Sequence, residues 1–173
     1  MTELYSIYVV SKLETKFDID FALISSKDED SINILLEKRL GNIYLCKNGK
    51  AFNILGKVTK TDFQLNQEGL IYSGIRKLSS SYPGEFDLTS KCESQVYIIP
   101  DLETSCDIGP AVISAKTEES IYSILEKELK NMTPCKNGNI FNIREKAIPT
   151  NFRTNKEGLV YARMWRFFSK YHR

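Results

Sequence analysis

The sequence contains almost no histidine, and this scarcity disfavours several classes of catalytic and metal-binding site. Its 173 residues include one histidine, His172, which lies next to the C-terminal residue. A Ser-His-Asp triad needs an imidazole held by packed neighbours, which a chain end rarely supplies. A mixed cysteine–histidine zinc site is equally disfavoured. We therefore predict no catalytic histidine, no bound metal, no cofactor and no enzymatic activity.

Long apolar runs and several well-known motifs are also missing. No run approaches the roughly 18 to 20 apolar residues that cross a bilayer, so we predict no membrane span. The N-terminal residues do not form a secretory signal, which predicts a cytoplasmic protein. The four cysteines form no Cys-x-x-Cys pair and are expected to be free thiols. Neither Gly-x-Gly-x-x-Gly nor a P-loop pattern occurs, which excludes nucleotide-dependent enzymes of those classes.

The chain does contain an internal repeat at an offset of 89 residues. The tetrapeptide Cys-Lys-Asn-Gly at 46–49 recurs at 135–138, and many further matches keep the same offset without a gap. About 35 of roughly 80 aligned pairs are identical, and repeat units this long predict tandem domains rather than a solenoid. We predict repeat domain 1 over 1–84, a linker over 85–93 and repeat domain 2 over 94–173.

Each repeat is predicted to fold as a two-layer α+β domain with the order β-β-α-β-β-β. One helix packs on a mainly antiparallel sheet, and the two copies are expected in a pseudo-twofold arrangement. An apolar stripe from Ile32 to Leu40 indicates the first helix, and the stripe recurs 89 residues later. Asp28 and Thr117 occupy equivalent positions and are predicted to be the helix N-caps.

The residues after each helix predict a hairpin followed by a loop. Asn48-Gly49 suits a two-residue type I′ turn between strands at 42–46 and 50–54. The polar stretch that follows is interpreted as a loop anchored by Phe63, with Phe152 as its equivalent. The last strand is expected to begin after Gly69 and, in the second copy, after Gly158.

Three sets of recurring residues could carry chemistry, but a structural role is favoured for each. Cys46 and Cys135 precede the matched turns, and a functional thiol is the alternative interpretation. Glu68 and Glu157 precede the last strand of each repeat, where Asn, Glu and Gly are also ordinary turn residues. Four further carboxylates that recur could act as an acid/base pair or bind a cation, which is the less favoured hypothesis: Glu14, Asp18, Glu103 and Asp107.

The copies differ most in their last strand. The second copy places the only tryptophan among arginines and aromatic residues there, whereas the first copy has small and polar residues. Such side chains are enriched in the cores of protein–protein interfaces, and they also stack on nucleic-acid bases. The candidate partner-binding residues are Arg163, Trp165, Arg166, Phe168 and Tyr171.

These observations favour a non-enzymatic intracellular protein-binding module that acts through a composite surface of its two repeats. Inhibitors, toxin-neutralising immunity proteins and phage or mobile-element accessory proteins include chains of this size. The alternative hypothesis is a weak nucleic-acid-binding protein that uses the basic aromatic C-terminal strand. The pI of 8.3 argues against it, since dedicated nucleic-acid domains often exceed about 9. A third hypothesis, an enzyme that uses acidic residues or a cysteine, has the least support.

Overall fold

The structure is a computed structural model that describes residues 4–41, 44–73 and 93–162. The chain divides into two compact units, Met1–Ser90 and Lys91–Arg173. The described residues form an antiparallel, sheet-rich α+β fold with two α-helices. The predicted linker, 85–93, lies outside the described residues except for Glu93.

The first unit is a five-stranded antiparallel sheet with one α-helix. Its strands are ordered β4-β1-β2-β5, and the short β3 pairs with the end of β1. The elements are β1 (Tyr5–Glu14), β2 (Ile19–Ser26), a 3₁₀ turn (Glu29–Ser31), α1 (Ile32–Leu40), β3 (Asn53–Ile54), β4 (Val58–Leu65) and β5 (Gly69–Ser73).

Within the described residues, the second unit has the same order of strands and α-helix and the same strand pairing, without the 3₁₀ turn. Its strands are ordered β9-β6-β7-β10, and the short β8 pairs with the end of β6. The elements are β6 (Ser94–Thr104), β7 (Ile108–Ala115), α2 (Ser120–Leu129), β8 (Phe141–Ile143), β9 (Ile148–Thr154) and β10 (Gly158–Ala162).

The predicted helix stripe is confirmed, whereas the caps differ in detail: Asp28 is the N-cap of the 3₁₀ turn before α1, and Glu119 rather than Thr117 directly precedes α2. Ile32, Leu36 and Leu40 are buried against the sheet, because residues four apart share one face of a helix. The Asp28 carboxylate accepts hydrogen bonds from the Ser31 hydroxyl at 2.8 Å and the Ser31 backbone N–H at 2.9 Å. These bonds hold the pKa of Asp28 below its ordinary value. In the second unit, the Thr117 hydroxyl accepts from the Ser120 N–H at 3.2 Å.

The predicted type I′ hairpin is wrong. A type I′ turn needs positive φ at both central residues, yet among the described residues only glycines have positive φ, including Gly49 at 87°. The Gly49 N–H donates to the Cys46 carbonyl at 3.0 Å, so the turn is centred on Lys47 and Asn48 and a left-handed glycine follows it. The Asn48 side chain accepts a hydrogen bond from the Lys50 N–H. Asn48 therefore contributes to the turn through this bond and not through a left-handed backbone conformation.

The polar stretch interpreted as a loop is a strand in both units. In β4, Phe63 and Leu65 are buried and alternate with the exposed Asp62 and Gln64. This period of two is the signature of a strand with one buried face, and β9 shows the same alternation. Conversely, 44–46 was predicted to be part of a strand and is not one. The predicted order of element types is correct, although some of its strands were placed at the wrong residues.

Both faces of β2 are buried. Ala22 and Ile24 face the helix cluster, whereas Phe21 and Leu23 alternate with them and are fully buried too. A sheet with a helix on one face and solvent on the other would expose the second set. In β2, however, six successive residues, 21–26, are buried.

Candidate functional site

The partner-binding residues predicted from the sequence lie outside the described residues. This applies to the whole set of Arg163, Trp165, Arg166, Phe168 and Tyr171. Their assignment as partner contacts therefore stays a prediction.

The Cys-Lys-Asn-Gly turn of the first unit is tied to the ends of β1 and β3 by side-chain hydrogen bonds. The Asn53 amide donates to the Glu14 carboxylate at 3.1 Å, and the Asn48 amide donates to the Asn53 carbonyl oxygen at 2.9 Å. The Cys46 sulfur lies 4.0 Å from the Glu14 backbone oxygen and 3.9 Å from that of Ala51. Glu14 and Cys46 therefore fix the position of the turn.

The second unit repeats this network 89 residues later. The Asn142 amide donates to the Glu103 carboxylate at 3.2 Å, and the Asn137 amide donates to Asn142 at 3.1 Å. The Cys135 sulfur lies 3.9 Å from the Glu103 backbone oxygen. The recurrence of Cys46 and Cys135 is thus accounted for by the same local contacts in each unit.

These contacts support the structural interpretation of the cysteines. Each sulfur faces backbone carbonyl oxygens, to which a thiol S–H can donate. Cys46, Cys106 and Cys135 are free thiols, as expected, and Cys92 lies outside the described residues. Within the described ranges, no three His, Cys, Asp or Glu side chains are grouped so that they could hold a metal ion.

Glu68 and Glu157 also have matched structural contacts. The Glu68 carboxylate accepts from the Lys27 backbone N–H at 3.1 Å, and Glu157 accepts from the Lys116 N–H at 2.7 Å. Each bond joins the turn before the last strand to the segment just after the second strand of the unit. The carboxylates therefore satisfy backbone donors, as the turn interpretation predicted.

Two tyrosines beside the helix starts have shifted pKa values. Burial raises the pKa of Tyr8, and the nearby charges of Asp28 and Glu29 add to the shift. Burial and the charge of Glu118 likewise raise the pKa of Tyr97. Both shifts favour the neutral, protonated form of the phenol.

The most distinctive surface of the described residues is a set of exposed apolar side chains at the turn end of the first unit. We call it the apolar patch and define it as Phe17, Ile19, Tyr44, Leu45 and Leu55. Phe17 is 63% exposed and Tyr44 is 70% exposed, and the other three are each more than half exposed. The rings of Phe17 and Tyr44 meet edge to face, with centroids 5.7 Å apart.

Strand pairing places some residues of the patch on one face of the sheet, and a ring contact joins Phe17 to Tyr44. Ile19 and Asn53 are both register partners of Glu14, so their side chains leave the same face of the sheet. Leu55 follows β3, and its N–H donates to the Lys12 carbonyl at 2.8 Å. Tyr44 and Leu45 lead directly into the turn that the asparagine network holds. The patch therefore sits on a hydrogen-bonded scaffold.

The second unit has the same scaffold but different side chains. The residues 89 positions after Phe17, Tyr44, Leu45 and Leu55 are a cysteine, a threonine, a proline and an arginine. Only the counterpart of Ile19 is an exposed large apolar residue, and this is Ile108. The scaffold therefore forms without the apolar side chains, and folding of the turn does not explain their presence.

Charge differs between the two turn ends in the same way. Segments 12–19 and 44–57 contain five lysines, against the two carboxylates of Glu14 and Asp18. The equivalent segments, 101–108 and 133–146, contain three basic and four acidic residues. The segments that carry the apolar patch therefore have a net positive charge, and the equivalent segments of the second unit do not. Sequence reasoning missed this site because it compared the last strands and not the turns.

Comparison with known proteins gives no functional assignment. No family model matches the chain, and no curated protein or solved structure matches it. No helix within the described ranges is long and apolar enough to cross a membrane.

Proposed function

We propose that this protein is a non-enzymatic protein-binding module that contacts its partner through the apolar patch. The single observation that carries this proposal is the contrast between the units: the same hydrogen-bonded turn displays apolar side chains in one unit and mostly polar ones in the other. Grouped apolar side chains exposed to water are typical of binding surfaces. Aromatic residues are enriched in the cores of such surfaces.

We also propose that the two units arose by tandem duplication. Hydrogen bonds that recur at the same offset support this. The Thr61 hydroxyl donates to the Ile7 carbonyl at 2.9 Å, and the Thr150 hydroxyl donates to the Val96 carbonyl at 2.8 Å. Three further points stay predictions. They are the pseudo-twofold arrangement, the composite surface of both repeats, and the assignment to an inhibitor, immunity or accessory-protein class.

Phe17 and Tyr44 are the expected main contacts. A fully buried aromatic side chain removes about 150–250 Å² from water, and central aromatic contacts can each contribute about 2 kcal/mol or more to binding. Since both rings are mostly exposed and already contact each other, little side-chain ordering is needed when a partner covers them.

The test compares three forms of the full chain as bait for proteins from cells that express it. The forms are the wild type, the double variant Phe17→Ser and Tyr44→Thr, and the control Tyr122→Asn. The control removes an exposed aromatic that also contacts a second ring, but on the helix of the second unit. Any protein retained by the wild type and the control, but not by the double variant, is then purified and titrated directly.

We expect the double variant to bind the purified protein roughly 1,000-fold more weakly, from two contacts of the size given above. The control should change affinity less than twofold. Equal binding by the double variant would refute the patch as the contact surface. Circular dichroism of all three forms checks that the fold is retained.

A further inference from the structure

Building on the proposed function, we infer that the partner presents an acidic polypeptide segment with apolar side chains to the apolar patch. The inference concerns the chemistry of the partner, whereas the proposed function concerns only that a protein binds. It rests on the lysines around the patch and on the state of the two carboxylates among them.

Three of the lysines lie in the two turns that border the patch. Lys16 precedes Phe17 in the first of these turns. The Thr15 N–H closes this turn by donating to the Asp18 carbonyl at 2.9 Å. Lys47 and Lys50 lie in the turn held by the asparagine network, and all three are exposed. Their backbone positions are therefore fixed next to the aromatic pair, where they can meet acidic groups at the rim of an interface.

The acidic residues of the same surface are already used by the chain. The Glu14 carboxylate accepts from the Asn53 amide at 3.1 Å, and the Asp18 carboxylate accepts from the Ile19 N–H at 2.8 Å. These bonds come from neutral donors and leave each carboxylate charged, so the five lysines and two carboxylates give these segments a net charge of +3. Carboxylates of a partner complement this surface, and basic groups would be repelled by it.

An acidic polypeptide fits this surface better than a nucleic acid does. Ile19, Leu45 and Leu55 are aliphatic and bury well against other apolar side chains, whereas bases stack on aromatic rings and on arginine. The patch segments of the first unit contain no arginine. A net excess of three positive charges is also small beside the footprint of a dedicated phosphate-binding surface.

The experiment selects ligands from a library of random displayed 12-residue peptides, using the full chain. The double variant Phe17→Ser and Tyr44→Thr serves as the counter-selection, so that only patch-dependent peptides are retained. The most enriched peptides are then synthesised and titrated against the wild type, Lys47→Glu and Lys136→Glu. The last two are matched, because both lysines lie in the same Cys-Lys-Asn-Gly turn and only Lys47 borders the patch.

We expect enriched peptides that combine several Asp or Glu residues with aromatic or aliphatic ones. Lys47→Glu should weaken their binding about five- to tenfold, and Lys136→Glu less than twofold, since a rim charge contributes modestly. Their affinity should also fall as salt rises. Single-stranded oligonucleotides should show no patch-dependent binding.

The outcomes separate the two proposals. Enriched peptides that are neutral or basic, or that ignore Lys47→Glu, would overturn the acidic partner and leave protein binding through the patch intact. No patch-dependent peptide at all, or patch-dependent oligonucleotide binding with no peptide, would overturn both.

Discussion

Thr150 and Thr61 make the same two hydrogen bonds in the two units, but at different depths. The Thr150 hydroxyl donates to the Val96 carbonyl at 2.8 Å and accepts from the Phe152 N–H at 3.2 Å. The Thr61 hydroxyl makes the equivalent bonds at 2.9 Å and 3.3 Å. Thr150 is 2% exposed, whereas Thr61 is only half-buried. Replacing either threonine by valine removes both bonds and leaves no cavity, because the two side chains have nearly the same volume.

The cost should therefore follow burial. Leaving a buried backbone group without its hydrogen-bond partner, where water cannot replace it, costs about 1–3 kcal/mol. Because Thr150→Val affects two such groups, it should lower the free energy of unfolding by about 2–3 kcal/mol. Thr61→Val should lower it by about 1 kcal/mol or less, since water can reach its partners. For a chain of this size, the deeper substitution corresponds to a fall in Tm of roughly 4–12 °C.

The assay is hydrogen exchange read by mass spectrometry in increasing urea, because two units need not unfold together. Peptides from each unit report the stability of that unit, and thermal melts by circular dichroism give the Tm. Thr150→Ser and Thr61→Ser are the matched controls, which keep the hydroxyl. If Thr150→Val costs no more than Thr61→Val, burial does not set the cost of these bonds and the reasoning fails.

Three further expectations concern a cap, a turn and the patch. The folded-state pKa of Asp28 is lowered, so its cap stabilises the 3₁₀ turn that leads into α1 above the unfolded pKa, and this contribution is lost as pH falls through the folded value. Asp28→Thr should therefore make the urea midpoint less sensitive to acid. Gly138→Ala should cost about 1–2 kcal/mol in urea unfolding, because φ is 92° although the space around an added Cβ is open. The double substitution Cys106→Phe and Thr133→Tyr should give the second unit an aromatic pair of its own. Calorimetry with a patch-binding peptide should then detect a second, weaker site. An unchanged binding stoichiometry would contradict this expectation.

Features set by local chemistry could be predicted from the sequence. The helices could be placed because their apolar spacing and their caps depend on residues within a few positions of one another, as at Asp28 and Ile32. The order of element types was also correct. The strand over Val58–Leu65 was missed because its exposed face carries Lys60 and Asp62, although Phe63 and Leu65 already showed the alternation.

Other features depend on contacts between distant segments and could not be predicted locally. Asn48-Gly49 matches the type I′ signature, but the bond between the side chains of Asn48 and Asn53 favours another turn. The burial of both faces of β2 likewise depends on what packs against the sheet. The patch is formed by segments that are far apart in sequence, and hydrophobic residues such as Phe17 and Leu55 cannot be recognised as exposed until strand pairing is known.

The apolar patch is informative because the chain contains its own comparison. An exposed leucine or tyrosine alone says little, since much of any protein surface is apolar. Here, however, the same turn with the same asparagine bonds carries Tyr44 in one unit and Thr133 in the other. If the turn needed an aromatic residue for stability, both units would be expected to have one. The tyrosine is therefore better explained by something that the first unit contacts and the second does not.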